Sequence, residues 1–246
     1  VTVAPEVEET PLLNGRVRLL QPRDGYRAGM DAAILAAAIA AAPGDTVLEA
    51  GCGAGAVLCQ VGVRRPGVRL LGVERDAPTA VLAMRNLALN RLDGEVREFD
   101  VAAGFTALER PRADWAVSNP PFFDDASALR APSPGKRAAW MADAGLEAWT
   151  EFLLAGVRDG GTILLIHRAD RLADLLSLLG RKAGSFRILP IHPYADRPAK
   201  RVLVKAVRLG RAPLVLLPPL VLHDQGGAHS PRSEAILRGA AHLDLG

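Results

Sequence analysis

Cysteine is scarce in this 246-residue chain. Cys52 and Cys59, seven residues apart, are the only two, and the sequence starts with acids (Glu6, Glu8, Glu9) and carries no positively charged, apolar leader. That excludes a disulfide framework and leads one to expect reduced thiols and a cytoplasmic protein. Long hydrophobic runs are missing too. The longest, Ala32 to Ala42, falls short of the roughly 20 apolar residues that a helix needs to cross a bilayer, so no membrane span is predicted. There is no internal repeat or low-complexity tract. The histidines (His167, His192, His223, His229, His242) are scattered without zinc-ligand spacing, which predicts no metal. Cys52 has no His or Asn pattern beside it to activate a nucleophile and reads as a small packing residue.

Apolar residues are plentiful, at 49% of the chain, enough for a substantial core at this length. The formal net charge of +3 conceals a local bias. Between Arg181 and Arg211 nine Lys or Arg stand against one acid, Asp196, so this window carries +8 and the remainder −5. Such a regional charge suits a polyanionic partner.

Short apolar or β-branched runs bounded by turns predict strands at Thr46 to Ala50, Val68 to Glu74, Glu95 to Phe99, Asp114 to Ser118 and Thr162 to His167. Segments of helical length and spacing lie between them: Gly55 to Arg64, Pro78 to Asn90, Leu146 to Val157 and Arg171 to Leu179. Alternation of this kind implies a parallel sheet with helices on both faces. Two further strand-like runs, Phe186 to Ile191 and Val202 to Leu209, suit an antiparallel pair. A helix over Asp31 to Ala42, with Asp31 as N-cap and Pro43-Gly44 as its stop, precedes the first core strand. Ser230-Pro231 opens a last helix reaching Arg238. The expected architecture is a single α/β domain, doubly wound and Rossmann-like, with a mostly parallel seven-stranded sheet and a C-terminal antiparallel hairpin. Residues 1–43 would be an N-terminal extension and entry helix, 44–211 the catalytic core, and 212–246 a C-terminal strand and helix.

Two motifs carry chemistry. VLEAGCGAG places Gly51, Gly53 and Gly55 directly after the first core strand, where missing Cβ atoms let the backbone approach a nucleotide-like cofactor. Glu74 ends the second strand, where a carboxylate can accept hydrogen bonds from both ribose hydroxyls. Gly51, Gly53 and Ala56 also satisfy G-x-G-x-x-A, so these residues leave a nicotinamide dinucleotide open as an alternative. The second motif is Asn119-Pro120-Pro121-Phe122 after the fourth strand. The lone pair of an adenine amine or a glutamine amide is delocalised. An Asn oxygen and the Pro120 carbonyl, accepting one N–H each, would favour a tetrahedral nitrogen with its lone pair turned to an electrophile. The prolines preorganise the turn. Phe122 would stack on a planar acceptor.

Together these motifs resemble the bacterial tRNA1(Val) adenine-N6 methyltransferase family, a class I S-adenosyl-L-methionine-dependent branch with an NPP[FY] signature. The likeness extends through GYRAGMDAAILAAA (Gly25 to Ala38), GVERD, LIHRADRLADLL and HPYADRPAKRVLVKA. The resemblance implies methylation of an adenine N6 in tRNA. It implies cofactor contacts from Tyr26, Arg27, Asp31, Glu49, Glu74, Arg75, Asp100 (to the adenine amine) and Asn119 besides the glycines, with Asn119, Pro120 and Phe122 at the acceptor. Where family members often have an aromatic residue before the last helix, this chain has His229-Ser230. Arg130, Lys136 and Arg137 would flank the acceptor, and Arg197, Lys200 and Arg201 would contact RNA phosphates. Protein-glutamine and rRNA guanine-N2 methyltransferases use similar NPP motifs and remain alternatives, as do a non-catalytic RNA-binding module and a nicotinamide oxidoreductase.

Overall fold

An Asn-Gly turn starts the fold. In the computed structural model, which describes residues 6–23, 27–121 and 145–246, strands β1 (Val7–Leu12) and β2 (Val17–Pro22) form an antiparallel hairpin. Leu13, Asn14 and Gly15 turn the chain with positive φ, the backbone that favours Asn and Gly. Sequence reading overlooked this hairpin, although Val17, Leu19 and Gln21 alternate as buried positions and an Asn-Gly pair precedes them.

The central strands follow as expected: β3 (Thr46–Ala50), β4 (Arg69–Glu74), β5 (Gly94–Glu98), β6 (Ala113–Ser118) and β7 (Val157–Arg168) are parallel, in the order β5-β4-β3-β6-β7. β9 (Arg201–Arg208) runs antiparallel to β7, and β8 (Ala183–His192) antiparallel to β9. The seven expected strands are present. Two-residue strands β10 (Val215–Leu216) and β11 (Leu220–Val221) add to β8 in parallel, so the sheet has nine strands rather than seven.

Side chains alternate between two apolar layers. Val47, Val117, Leu164 and Leu203 face the layer of α1 (Met30–Ala38), α2 (Ala56–Arg64), α3 (Ala77–Leu89), α6 (Pro231–Leu237) and the hairpin. Leu48, Ala116, Leu165 and Val204 face α4 (Leu146–Gly156) and α5 (Leu172–Leu179). This is the doubly wound α/β architecture, with a mostly parallel sheet, that the sequence implies. Among the described residues no helix is long and apolar enough to cross a membrane.

Side-chain caps mark two of the described α-helix starts. Asp76 accepts from Thr79 N at 3.1 Å, and Ser230 caps α6 from Ser233 N at 3.2 Å with Pro231 behind it. The first helix departs from expectation at both ends. Gly29, not Asp31, is its N-cap, because the Asp31 carboxylate reaches across to Arg201 Nε at 3.1 Å. It also stops at Ala38, short of Ala42, because other segments take its last carbonyls: Leu243 N donates to Ala37 O and Arg65 Nε to Ile39 O, each at 2.9 Å.

The hairpin is joined to α3 by two asparagines one turn apart. Asn86 Oδ1 accepts from Leu20 N (2.8 Å) and its Nδ2 donates to Leu20 O (2.9 Å), while Asn90 makes the same pair of bonds with Arg18 (2.9 and 2.7 Å). Two carboxamides thus pair with alternate residues of β2 as a neighbouring strand would. Asn86 Nδ2 donates also to Ala54 O at 2.8 Å, which ties the glycine loop to the same knot. Asn86 is fully buried and Asn90 only partly. Asn86→Ala should therefore lower the unfolding free energy by roughly 2–4 kcal/mol. Asn90→Ala should cost less, and urea titration of both variants checks the order.

Candidate active site

Parallel register brings the motif residues to one edge. Ala50 lies opposite Val73 and Ser118, and Glu74 opposite Glu98. Gly51 to Gly55, Glu74, Asp100 and Asn119 accordingly follow or end adjacent strands at the carboxyl edge, where open sheets of this kind bind ligands. Ser118 Oγ, fully buried, donates to Ala50 O at 2.8 Å and clamps the strand before Asn119 to the strand before Gly51.

The three glycines, all at positive φ, do different work. A Cβ on Gly51 would stand 2.3 Å from the Trp149 ring of α4, and one on Gly55 would stand 3.3 Å from Ala83 of α3. These two permit packing between elements. A Cβ on Gly53 meets nothing within 4 Å, so Gly53 is where the loop backbone faces open space. Cys52 N donates to Val73 O (3.0 Å) and Gly53 N to Glu74 Oε2 (3.0 Å), which spreads the loop over the end of β4.

Glu74 has both oxygens in use, the second accepting from Asp76 N at 2.9 Å. Each oxygen keeps a further lone pair for a diol. Glu49 is 2% exposed and its Oε2 has no hydrogen-bond partner. Burial first, and then the neighbouring Glu74, push its carboxyl well above the usual range, against a backbone hydrogen bond from Leu58 that lowers it. Burial thus favours the neutral acid, and a cation beside the group would favour its charged form. Asp100 caps a short 3-10 turn through Ala102 N at 2.9 Å. Cys52 and Cys59 are free and buried, and burial drives the Cys59 thiol up to about 12, which suits packing rather than nucleophilic attack.

The entry residues hold elements together. Arg27 pairs with Glu8 and donates to Thr10 Oγ1 (3.1 Å), so it binds the entry segment to β1, while Asp31 binds α1 to Arg201 of β9. Arg75 is exposed at the edge, and Pro120 is buried behind a half-buried Asn119. Tyr26, Phe122, Arg130, Lys136 and Arg137 lie outside the described residues. Trp149, Ser118 and Asn86 were not singled out from the sequence, since a helix Trp, a strand Ser and a helix Asn carry no motif. Their roles are read only from contacts.

The basic window splits between the two ends of the sheet. Arg168 of β7 lies opposite Arg201, so the β8–β9 loop with Arg197 and Lys200 sits at the same carboxyl edge as Asn119. At the opposite end Arg181 pairs with Glu147 (2.6 Å) and Arg208 with Asp159 (2.7 Å). Arg197 and Lys200 are exposed, whereas Arg201 is committed to Asp31.

Comparison with known proteins agrees with this geometry. Residues 27–131 match the family described as Methyltransferase small domain. The release factor glutamine methyltransferase of Chlorobaculum tepidum is 26% identical over 67% of this chain and 59% of its own length. The ribosomal RNA small subunit methyltransferase C of Cronobacter sakazakii is 34% identical over 42% of this chain and 28% of its own. The chain thus spans less than two thirds of either relative. Among solved structures, a predicted O-methyltransferase from Agrobacterium tumefaciens superposes with a TM-score of 0.72 at 27% identity, covering 87% of this chain and 98% of that one. The Thermus thermophilus 16S rRNA N2 G1207 methyltransferase, in complex with AdoMet and guanosine, gives 0.57 at 22% identity, covering 82% of this chain and 50% of that one.

The AdoMet of that Thermus complex is S-adenosyl-L-methionine. The residues fit it: Glu74 suits the ribose diol, the orphaned Glu49 suits the cation of the amino-acid tail, and Gly53 leaves room for close approach.

The buried Glu49 makes the stability of the apoprotein depend on pH. With its folded-state pKa raised, the wild-type apoprotein loses stability as pH climbs from the ordinary carboxylate range through that raised value. Glu49→Gln escapes this loss. The variant should melt higher than wild type at neutral pH without ligand, the gap closing near pH 4, yet gain less from S-adenosylhomocysteine. Gly53→Ala should fold and lose cofactor affinity, whereas Gly51→Ala should be destabilised by its clash with Trp149. Thermal-shift titrations across pH check all three.

Proposed function

We propose that this chain, whose residues 27–131 match the family described as Methyltransferase small domain, moves a methyl group from S-adenosyl-L-methionine to a planar exocyclic nitrogen of RNA, with adenine N6 of a tRNA as the acceptor. The supporting observation is the position of Asn119-Pro120-Pro121, which leaves β6 at the carboxyl edge through Ser118, itself hydrogen-bonded to the residue before the glycine loop. The cofactor, when bound, supplies an electrophilic methyl group.

The chain's own part is to hold the amine. The Asn119 side-chain oxygen and the Pro120 carbonyl each accept one N–H, which localises the nitrogen lone pair as the centre becomes tetrahedral. No ionised base is needed for attack, and the surplus proton leaves the product ammonium afterwards. Phe122 stacks the acceptor ring. Arg197 and Lys200, exposed at the same edge, hold phosphates, and the lone pairs left on Glu74 take the ribose.

The names of the relatives favour two further acceptors, a guanine N2 of ribosomal RNA and a glutamine amide of a release factor. All three are planar nitrogens whose lone pair is delocalised, so the Asn119 chemistry serves each alike. The exposed cations favour RNA over peptide.

Incubation with labelled cofactor and, in parallel, total tRNA, ribosomal subunits and release factors, followed by mass spectrometry of nucleosides and peptides, identifies the acceptor. N6-methyladenosine in tRNA is the expected product. N2-methylguanosine or methylglutamine instead would overturn the tRNA adenine assignment. Asn119→Ala should reduce single-turnover transfer by about 10² or more while S-adenosylhomocysteine affinity stays near wild type. A wild-type rate in that variant would leave the Asn-Pro-Pro segment a mere turn.

A further inference from the structure

Three rings meet at the carboxyl edge beyond β8. His223 and His229 stack with centroids 5.0 Å apart and planes 25° from parallel, and Tyr194 lies 5.6 Å from His223. Neither the glycine loop nor the Asn119 segment uses them. The group is built rather than accidental. β11 pairs with the end of β8, Leu222 N donates to His192 O and His223 N to Pro193 O. His223 and His229 then face each other across an antiparallel bridge closed by Asp224, whose Oδ1 accepts from Gly226 N and Ala228 N. Ser230, the residue after His229, caps α6 and donates its hydroxyl to Val221 O at 2.6 Å. The rings are thus carried on backbone fixed at both ends.

Exposure shows an incomplete stack. Tyr194 is 36% exposed, His229 is exposed, and His223 is half-buried between them. Beside Tyr194 in the same loop stand Arg197, whose N–H donates to Tyr194 O, and Lys200. Among the described residues Arg197 pairs only with Asp196, at 3.9 Å, with both side chains more than two thirds exposed. Partly exposed rings beside solvated cations suit a ligand that is itself a flat ring joined to an anion, which is the chemistry of a nucleotide. Position agrees. From β6, where Asn119 begins, to β8 is three strand spacings along one edge, about 14 Å. That is too far for the acceptor base itself and within reach of a base a few nucleotides along the strand.

We propose that Tyr194, His223 and His229 form a stacking platform for an unpaired base flanking the methylated nucleotide, with Arg197 and Lys200 on the intervening phosphates. This rests on the RNA reading above and adds to it a second contact point, one that selects unpaired RNA over duplex, because only a splayed base offers a free face.

The test uses the full-length protein and a single-stranded oligoribonucleotide carrying 2-aminopurine, compared with a duplex and with an abasic strand of equal charge. Stacking should quench the fluorophore, and wild type should bind the base-bearing strand more tightly than the abasic one. Tyr194→Ala and His229→Ala should each weaken binding about tenfold and abolish quenching, leaving the salt slope and the S-adenosylhomocysteine melting shift unchanged. His229→Phe, which keeps a ring, should restore binding. Arg197→Ala with Lys200→Ala should flatten the salt slope and leave quenching intact. With the RNA that wild type methylates, the ring variants should raise KM and spare kcat. Unchanged KM and quenching in both alanine variants would overturn the platform while the RNA function stands. If wild type methylates only protein, the RNA reading fails first, and a raised KM for that protein in the ring variants would make this surface a peptide-docking site instead.

Discussion

The carboxamide of Asn86 is the contact on which the cofactor end of the molecule depends. Sealed from water, it accepts from one backbone N–H and donates to two carbonyls, on β2 and on the glycine loop. In a buried setting each of those groups would be costly to leave unpaired. One side chain therefore sets where the N-terminal hairpin lies and how the loop between β3 and α2 is held. Asn90, one turn along, repeats the pairing on Arg18, so α3 serves the hairpin as a substitute sheet edge.

Around that knot the site concentrates negative charge. Glu49, Glu74 and Asp100 gather at the ends of three adjacent strands, and the first has an oxygen with no partner. Self-repulsion and desolvation among carboxylates are tolerable where a cationic ligand completes them. S-adenosyl-L-methionine carries positive charge at its sulfonium and its amino group. Of the basic window, Arg197 and Lys200 lie further along the same edge, on the β8–β9 loop, while Arg181 and Arg208 lie at the opposite end in ion pairs with Glu147 and Asp159. Acids at the strand ends, with the exposed Arg197 and Lys200 further along the edge, suit a cationic donor and a polyanionic acceptor.

Much of this was legible in the linear pattern. Strands such as Thr46–Ala50 and Asp114 to Ser118 are short apolar runs with turn residues at both ends, and helices starting at Asp76 and Ser230 carry their caps and prolines beside them. The hairpin escaped notice because its outward residues are partly exposed and mixed, so only Val17, Leu19 and Gln21 show the two-residue period. The end of α1 escaped because nothing local stops an alanine run. It is stopped by Leu243 and Arg65, which arrive from distant parts of the chain.

By itself the sequence determined the fold class, the glycine loop, the acids that follow β4 and β5, and the Asn-Pro-Pro turn after β6, because each depends on residues close together in the chain and on local rules of propensity and capping. Only tertiary structure decided which glycine faces open space. Gly51, Gly53 and Gly55 look equivalent in a motif, but Trp149 stands over the first and Ala83 over the third, from elements whose arrival no spacing announces. Tertiary structure likewise divided a continuous run of basic residues between two ends of the sheet and brought Tyr194, His223 and His229 into one stack. The reason is the antiparallel turn of β8 into β9 and the return of the chain along β8, which make neighbours of residues far apart in sequence and separate residues that are close.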